Sequence, residues 1–446
     1  MIAYKARLIF FVLTIAGALA LAGCGVLSTA PPSTASPPLP PATAMPSGAE
    51  GAQTAIRFLE DRVSRDHDDF IAYNKLAGYY LQRQRETGSL TYLDLALRAA
   101  KASLTAMPAE INKAGLATLA QAEYSSHEFT SARDHALQLT ELDRGKSYPY
   151  QLLCDASLEL GDYDKAVSAF AHLERLGSVS VGAQTRLARD RVLRGQTDDA
   201  TRRLLVAQSL ALEQEPPSPE TIAWIRWQLG EVAFSIGDYS KSEQHYLDAL
   251  VTFPGYYRAL GSLGRTRAAQ GDIAGAIEQY RRALQIIPDP TFAAALGDLY
   301  NLAGREKEAA EVYALVEHIG KLSATSGALY NRQLALFYAD HDIKVQEAYE
   351  SAKKEYAIRR DIYGADAVAW TALKAGQLQE AQSEIKRALR LGTRDARIFY
   401  HAGMIAFMSG DRAAAREQIN RALTLNPQFD PLQAVNARKT LDNINE

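Results

Sequence analysis

One spacing limits this chain more than any other feature. Gly161, Gly195, Gly237, Gly271, Gly304, Gly376 and Gly410 stand 34, 42, 34, 33, 72 and 34 residues apart. The 72 is two periods with the glycine missing from the middle one, and the 42 is one period plus an insert around Pro216-Pro217. An alanine lies five residues beyond most of these glycines, at Ala166, Ala200, Ala276, Ala309, Ala381 and Ala415. Counting 34 back from Gly161 reaches His127, with Phe129 and Ala132 in the same frame. A period of this length belongs to chains that stack one small unit many times.

The unit is clearest from Ala223 to Pro254. It reads as two short amphipathic helices meeting at Gly237-Asp238. Glycine accepts the positive φ that ends a helix, and aspartate caps the next one. Leu229, Tyr246 and Ala249 fall at apolar helical spacing. The small residues Gly230 and Ser242 sit where the two helices press closest, and Pro254 stops the second helix.

This pattern resembles the tetratricopeptide repeat family from about Phe70 to Pro427. The small residue of its eighth position is kept at Gly230, Gly264, Gly297 and Gly403, and its terminal proline at Pro254, Pro288 and Pro427. No strand-like alternation competes with it. The expected fold is therefore all-α: a right-handed superhelical solenoid of about ten helix-turn-helix repeats with terminal capping helices. Residues 51–446 form the solenoid, with repeats at about 70–427. Ala52 to Arg65 reads as an N-terminal cap helix, and residues 431–444 as a final cap with a polar outer side. The eighth repeat is degenerate, with Ala339-Asp340-His341-Asp342 in place of the glycine turn. Ala328 to Pro427, through RRDIYGADAVAW and GTRDARIFYHAGMI, also resembles the C-terminal part of uncharacterised bacterial proteins of this family.

The first fifty residues are read separately. Lys5 and Arg7 precede an apolar run from Leu8 to Leu21, too short for a membrane span but suited to a signal-peptide core. The run ends in Leu21-Ala22-Gly23-Cys24, which resembles a bacterial lipobox. That resemblance implies lipidation of Cys24 and removal of residues 1–23. Losing Lys5 and Arg7 and no acid takes the net charge from −3 to −5. Residues 24–50 become a lipidated cysteine and a Pro/Ala/Ser-rich tether, with seven prolines between Pro31 and Pro46 favouring extended backbone. Gly25, in place of aspartate, implies the outer membrane in a two-membrane bacterium. After cleavage Cys154 is the remaining free thiol, so no disulfide forms within the chain. Cys154 occupies the eighth position of its repeat and is expected to be buried.

Charge and motifs narrow the function. With 49 basic and 52 acidic residues, the chain lacks the basic footprint of a nucleic-acid binder. No HExxH, Walker loop, GxGxxG or GxSxG motif is present, and the eight histidines are scattered. Asp340-His341-Asp342 is the best metal candidate, and a polar turn explains it equally well. The reading is no catalytic residue, no metal and no cofactor.

The family resemblance puts the first helix of each repeat on a concave groove. Its groove positions hold Trp224, Trp227, Glu231 and Phe234, then Arg258 and Arg265, then Tyr363 and Trp370, then Arg397, Tyr400, Met404, Phe407 and Met408. All three tryptophans fall there. Tryptophan and arginine often carry binding energy at interfaces, so Trp224, Trp227, Phe234, Arg258, Arg265, Trp370 and Tyr400 form the candidate protein- or peptide-binding site. The alternative is that these aromatics fill the tight inner curve. The carboxylate-clamp residues of chaperone-binding members are absent, because Trp227/Glu231, Gly261/Arg265, Asp366/Trp370 and Tyr400/Met404 stand in their places. The expected function is a membrane-anchored scaffold or adaptor in the cell envelope that holds a protein or peptide segment. An enzyme, or a receptor for a glycan or small molecule, is the second reading.

Overall fold

The computed structural model describes residues 49–445, apart from residues 178 and 326–331. The leader and nearly all of the tether lie outside the described residues. Those that are described form 22 helices and no strand. Helix α1 (Ala49–Arg65) and helix α22 (Gln433–Asn445) flank ten helical pairs. The pairs are α2 (Phe70–Thr87) with α3 (Leu90–Ala106), α4 (Lys113–Ser125) with α5 (Phe129–Leu142), α6 (Ser147–Glu159) with α7 (Tyr163–Arg175), α8 (Val181–Leu193) with α9 (Thr197–Leu212) and α10 (Pro219–Ser235) with α11 (Tyr239–Thr252). They continue as α12 (Tyr257–Ala269) with α13 (Ile273–Ile286), α14 (Pro290–Leu302) with α15 (Glu306–Thr325), α16 (Arg332–Asp340) with α17 (Val345–Tyr356), α18 (Ile362–Lys374) with α19 (Leu378–Ala388) and α20 (Ala396–Met408) with α21 (Arg412–Leu425).

The turns follow from the residues that make them. Gly237 has φ 77°, and the Asp238 carboxylate accepts the Lys241 N–H at 3.2 Å to cap α11. Asp162, Asp272 and Asp411 cap their helices in the same way. His127 takes the same turn without a glycine, at φ 64°. In the eighth pair Asp342 and Lys344 adopt positive φ instead.

Close packing within a pair also follows the spacing. A Cβ on Gly230 would lie 2.3 Å from the Tyr246 ring. The same sixteen-residue offset sets Gly264 under Tyr280, Gly297 under Tyr313 and Gly403 under Ile419. Cys154, in the equivalent place, is fully buried.

The insert around Pro216-Pro217 is a loop between Leu212 and Pro219, and helix extends further than the repeat spacing predicts at two places. α2 runs on to Thr87 before Gly88 stops it with φ 68°. α10 begins at Pro219, because Ser218 caps it and proline suits a first helical position. No helix among the described residues is long and apolar enough to cross a membrane.

Each helix packs on at least one neighbour in the chain. The stack then coils back on itself after about 200 residues. The loop before α18 reaches the α6–α7 turn, where Ile362 N–H donates to Tyr163 Oη at 2.9 Å. The loop before α20 reaches the α8–α9 turn, where Thr393 Oγ1 donates to the Leu193 carbonyl. The loop after α21 reaches the α10–α11 turn, where Asn426 Nδ2 donates to the Phe234 carbonyl at 2.7 Å. Gly161 and Gly195 lie directly against the Arg360 and Gly392 carbonyls, leaving no room for a Cβ.

The first helices are more deeply buried than such a stack requires. In an open solenoid one of their faces would be solvated. Here α4 is buried at every position from Gly115 to Ser125, and α6 from Pro149 to Glu159. A helix buried all round sits inside a core. Second helices keep a wet face: α11 buries only Ser242, Tyr246 and Ala249.

Candidate protein-interaction face

The first-helix face of α10 and α12 carries the densest group of expected site residues. Trp224, Trp227 and Phe234 are buried, at 5%, 7% and 5% exposure, and Arg258 is at 9%. Trp227 Nε1 donates to Ser262 Oγ at 2.9 Å, and the Arg258 guanidinium lies 5.4 Å from the Trp227 ring centre. Arg265 sits 4.0 Å over the Phe234 ring and grips both Glu231 oxygens, at 2.7 and 2.8 Å. Tyr246 and Ser262 also donate to Glu231. Burial acts to raise the Glu231 carboxyl, and Arg265 with these two hydroxyls overcomes it and holds the group below its usual range.

Trp370 and Tyr400 lie elsewhere, on α18 and α20, each 2% exposed. Trp370 Nε1 donates to Asp340 at 2.8 Å, and its ring stacks on His401 at 4.2 Å. Tyr400 meets Trp370 on one side and Phe429 on the other. The seven residues therefore form two separate groups. Six are buried, and Arg265 is half-buried. In the closed coil they are packing residues that join one first helix to the next. The expectation of an open groove lined by them is corrected, because neighbouring helices pack over them.

The best metal candidate disperses in the same way. Asp340 accepts from Trp370 and Gln433, His341 Nε2 meets Asp298 at 2.8 Å, and Asp342 pairs with Lys374 at 2.7 Å. Among the described residues no group of three or more His, Cys, Asp or Glu side chains could hold a metal.

Sequence reasoning missed the most charged part of the interior. Glu159 on α6 accepts from Arg189 at 2.6 Å, from Arg359 at 2.5 Å and from Tyr124 at 3.2 Å. Beside it Asp155 is held by Arg186 at 2.7 Å. Across the junction Arg332 pairs with Glu355 at 3.0 Å and Asp361 at 3.1 Å, and Arg359 with Asp361 at 3.2 Å. Burial raises the Glu159 carboxyl, yet Arg359 and Arg189 together hold it at about 2. His127 borders the cluster, and burial followed by Arg359 pushes its imidazole down to about 3. A local signal existed. Two of the turns that meet the returning loops carry a tyrosine just after Gly-Asp, at Tyr163 and Tyr239, whereas the later turns carry Ile273, Glu306, Leu378 and Arg412.

One open depression of about 600 Å³ lies between α15 and the α16–α17 turn. Tyr313, Phe337 and Ile343 floor it, and Glu317, His318 and His341 contribute polar groups. Its size suits a small ligand or a single inserted side chain.

A family model described as tetratricopeptide repeat matches residues 228–291 and 368–428. No curated protein matches the chain. Among solved structures it is similar to crystalline MamA, at 20% identity over 39% of this chain and 97% of that one, with a TM-score of 0.32. It is similar to the human IFIT1 dimer with PPP-AAAA, at 14% identity over 85% and 96%, with a TM-score of 0.45. It is also similar to the APC/C hetero-tetramer Cut9-Hcn1, at 12% identity over 89% and 94%, with a TM-score of 0.35. The chain thus carries tetratricopeptide repeats at residues 228–291 and 368–428, and helical pairs of the same build run before, between and after them.

Proposed function

We propose that the mature chain is a lipid-anchored scaffold of the bacterial cell envelope that holds a protein or peptide segment outside the cytoplasm. The observation that carries this reading is the repeat itself, which is typically a non-catalytic platform for protein partners. Leu21-Ala22-Gly23-Cys24 supports the anchor, and the proline-rich stretch after it supports a spacer that lifts the solenoid off the bilayer. In a two-membrane bacterium, Gly25 favours the periplasmic side of the outer membrane. One lipid-modified residue carrying more than one acyl chain gives stable anchoring, which a single chain does not.

Two experiments test the two halves. Cys24→Ser is expected to leave the chain uncleaved or soluble; a mature-length variant still fractionating with membranes overturns the anchor. Cross-linking in the native cells followed by capture is expected to return one recurrent protein partner. Recovery of no protein above a mock control overturns the scaffold reading.

A further inference from the structure

Among the described residues, the junction between successive turns of the coil differs from the packing of chain neighbours. Helices pack on chain neighbours through apolar faces. Across the junction the contacts are made by turns and loops and are mainly polar: Glu159 with Arg359, Tyr163 with Ile362, Leu193 with Thr393, and Asn426 with Phe234 and Tyr239, with the Ile362 and Leu391 side chains adding a small apolar contact to the α4–α8 cluster.

The charges are arranged so that the two sides can part. On one side Asp155 and Glu159 face Arg186 and Arg189. On the other Glu355 and Asp361 face Arg332 and Arg359. Each side is neutral by itself. Breaking the Glu159–Arg359 contact leaves Glu159 on Arg189 and Tyr124, and leaves Arg359 on Asp361 and Glu355 at 3.6 Å. No charge is stranded, and stranded charge is what makes loss of a buried pair costly. Apart from Ile362 and Leu391, the groups uncovered are charged or hydrogen-bonding and hydrate readily, unlike an apolar core. A solenoid distributes the movement over many small changes at neighbouring repeats.

We propose that this junction is a latch: the coil closes by docking the Arg359–Ile362, Thr393 and Asn426 loops onto the α6–α7, α8–α9 and α10–α11 turns, and it opens as one unit to uncover the face formed by the C-terminal ends of the first helices α6, α8 and α10. The use of that face by a protein segment rests on the scaffold reading, but the latch itself does not, and its test involves no partner.

The test uses the full chain with Arg359→Ala at one end of the junction and Asn426→Ala at the other. Small-angle scattering reports overall size, and hydroxyl-radical footprinting reports exposure of Tyr163 and Tyr239. Either variant is expected to keep its far-ultraviolet circular dichroism, gain radius of gyration and show severalfold more labelling at both tyrosines. The informative site is the distant one: Tyr239 for Arg359→Ala and Tyr163 for Asn426→Ala. Unchanged size and labelling overturn the latch. So does labelling confined to the mutated end. If Arg359→Ala loses helix, Asn426→Ala decides by the same criteria, and loss of helix in both shows a permanent core and overturns the proposal.

Discussion

At the scale of single residues, the packing inside each pair leaves little freedom. Gly230 faces the fully buried Tyr246 ring, whose hydroxyl is fixed on Glu231 at 2.6 Å. Even Gly230→Ala forces that ring off its partner. The expected loss is about 1–3 kcal/mol, read as a lower urea midpoint. A midpoint equal to the parent's contradicts the packing. Trp227→Ala removes a buried indole, its bond to Ser262 and the ring under Arg258. It should cost about 3–5 kcal/mol of folding stability. A variant that melts like the parent removes Trp227 from the core. The glycine positions were legible in the sequence, because the contact they serve lies within one repeat and recurs at a fixed offset. The role of the tryptophans was not. Groove anchor and packing residue look alike in a single repeat, and what separates them is whatever lies on the far side of the helix.

At the scale of elements, turns were readable even without glycine. The count that reaches His127 reaches a residue with φ 64°. Its titration gives a test. Unfolded, histidine titrates near pH 6.5, whereas folded His127 does so at about 3. Below pH 6.5 the unfolded chain binds a proton that the folded chain refuses. Stability from this group is therefore fully kept above pH 6.5 and falls as pH drops toward 3. Asparagine tolerates positive φ and does not titrate. Between pH 7.5 and pH 5, His127→Asn should lose about 2 kcal/mol less than the parent, at about 1.4 kcal/mol per pH unit. Equal losses contradict a buried neutral imidazole. Helix starts were less legible: the expected insert before Ala223 proved to hold the first turn of α10, begun by Ser218-Pro219. The burial of α4 and α6 on all sides was not legible either, because neighbouring helices are joined there by Arg359 and Ile362 from a distant part of the chain.

At the scale of the molecule, closure is set by small rotations accumulated over several repeats, and no local spacing encodes their sum. A residue such as Asn426 reads in sequence as an ordinary position beside a terminal proline. In the structure it is 1% exposed and ties the last loop to Phe234 and Tyr239. Asn426→Ala should cost about 1–3 kcal/mol in unfolding by urea, because it removes the buried bonds to the Phe234 carbonyl, which keeps only the Gly237 N–H, and to Tyr239. A cost below about 0.5 kcal/mol would place that loop elsewhere. The most direct measurement of the closed coil is a double-mutant cycle between Glu159 and Arg359, which are 200 residues apart in sequence and 2.5 Å apart in the fold. Urea unfolding of Glu159→Gln, Arg359→Gln and the double variant yields their coupling. The closed coil predicts a coupling of about 1–3 kcal/mol, whereas additivity within about 0.5 kcal/mol means that the two turns do not touch.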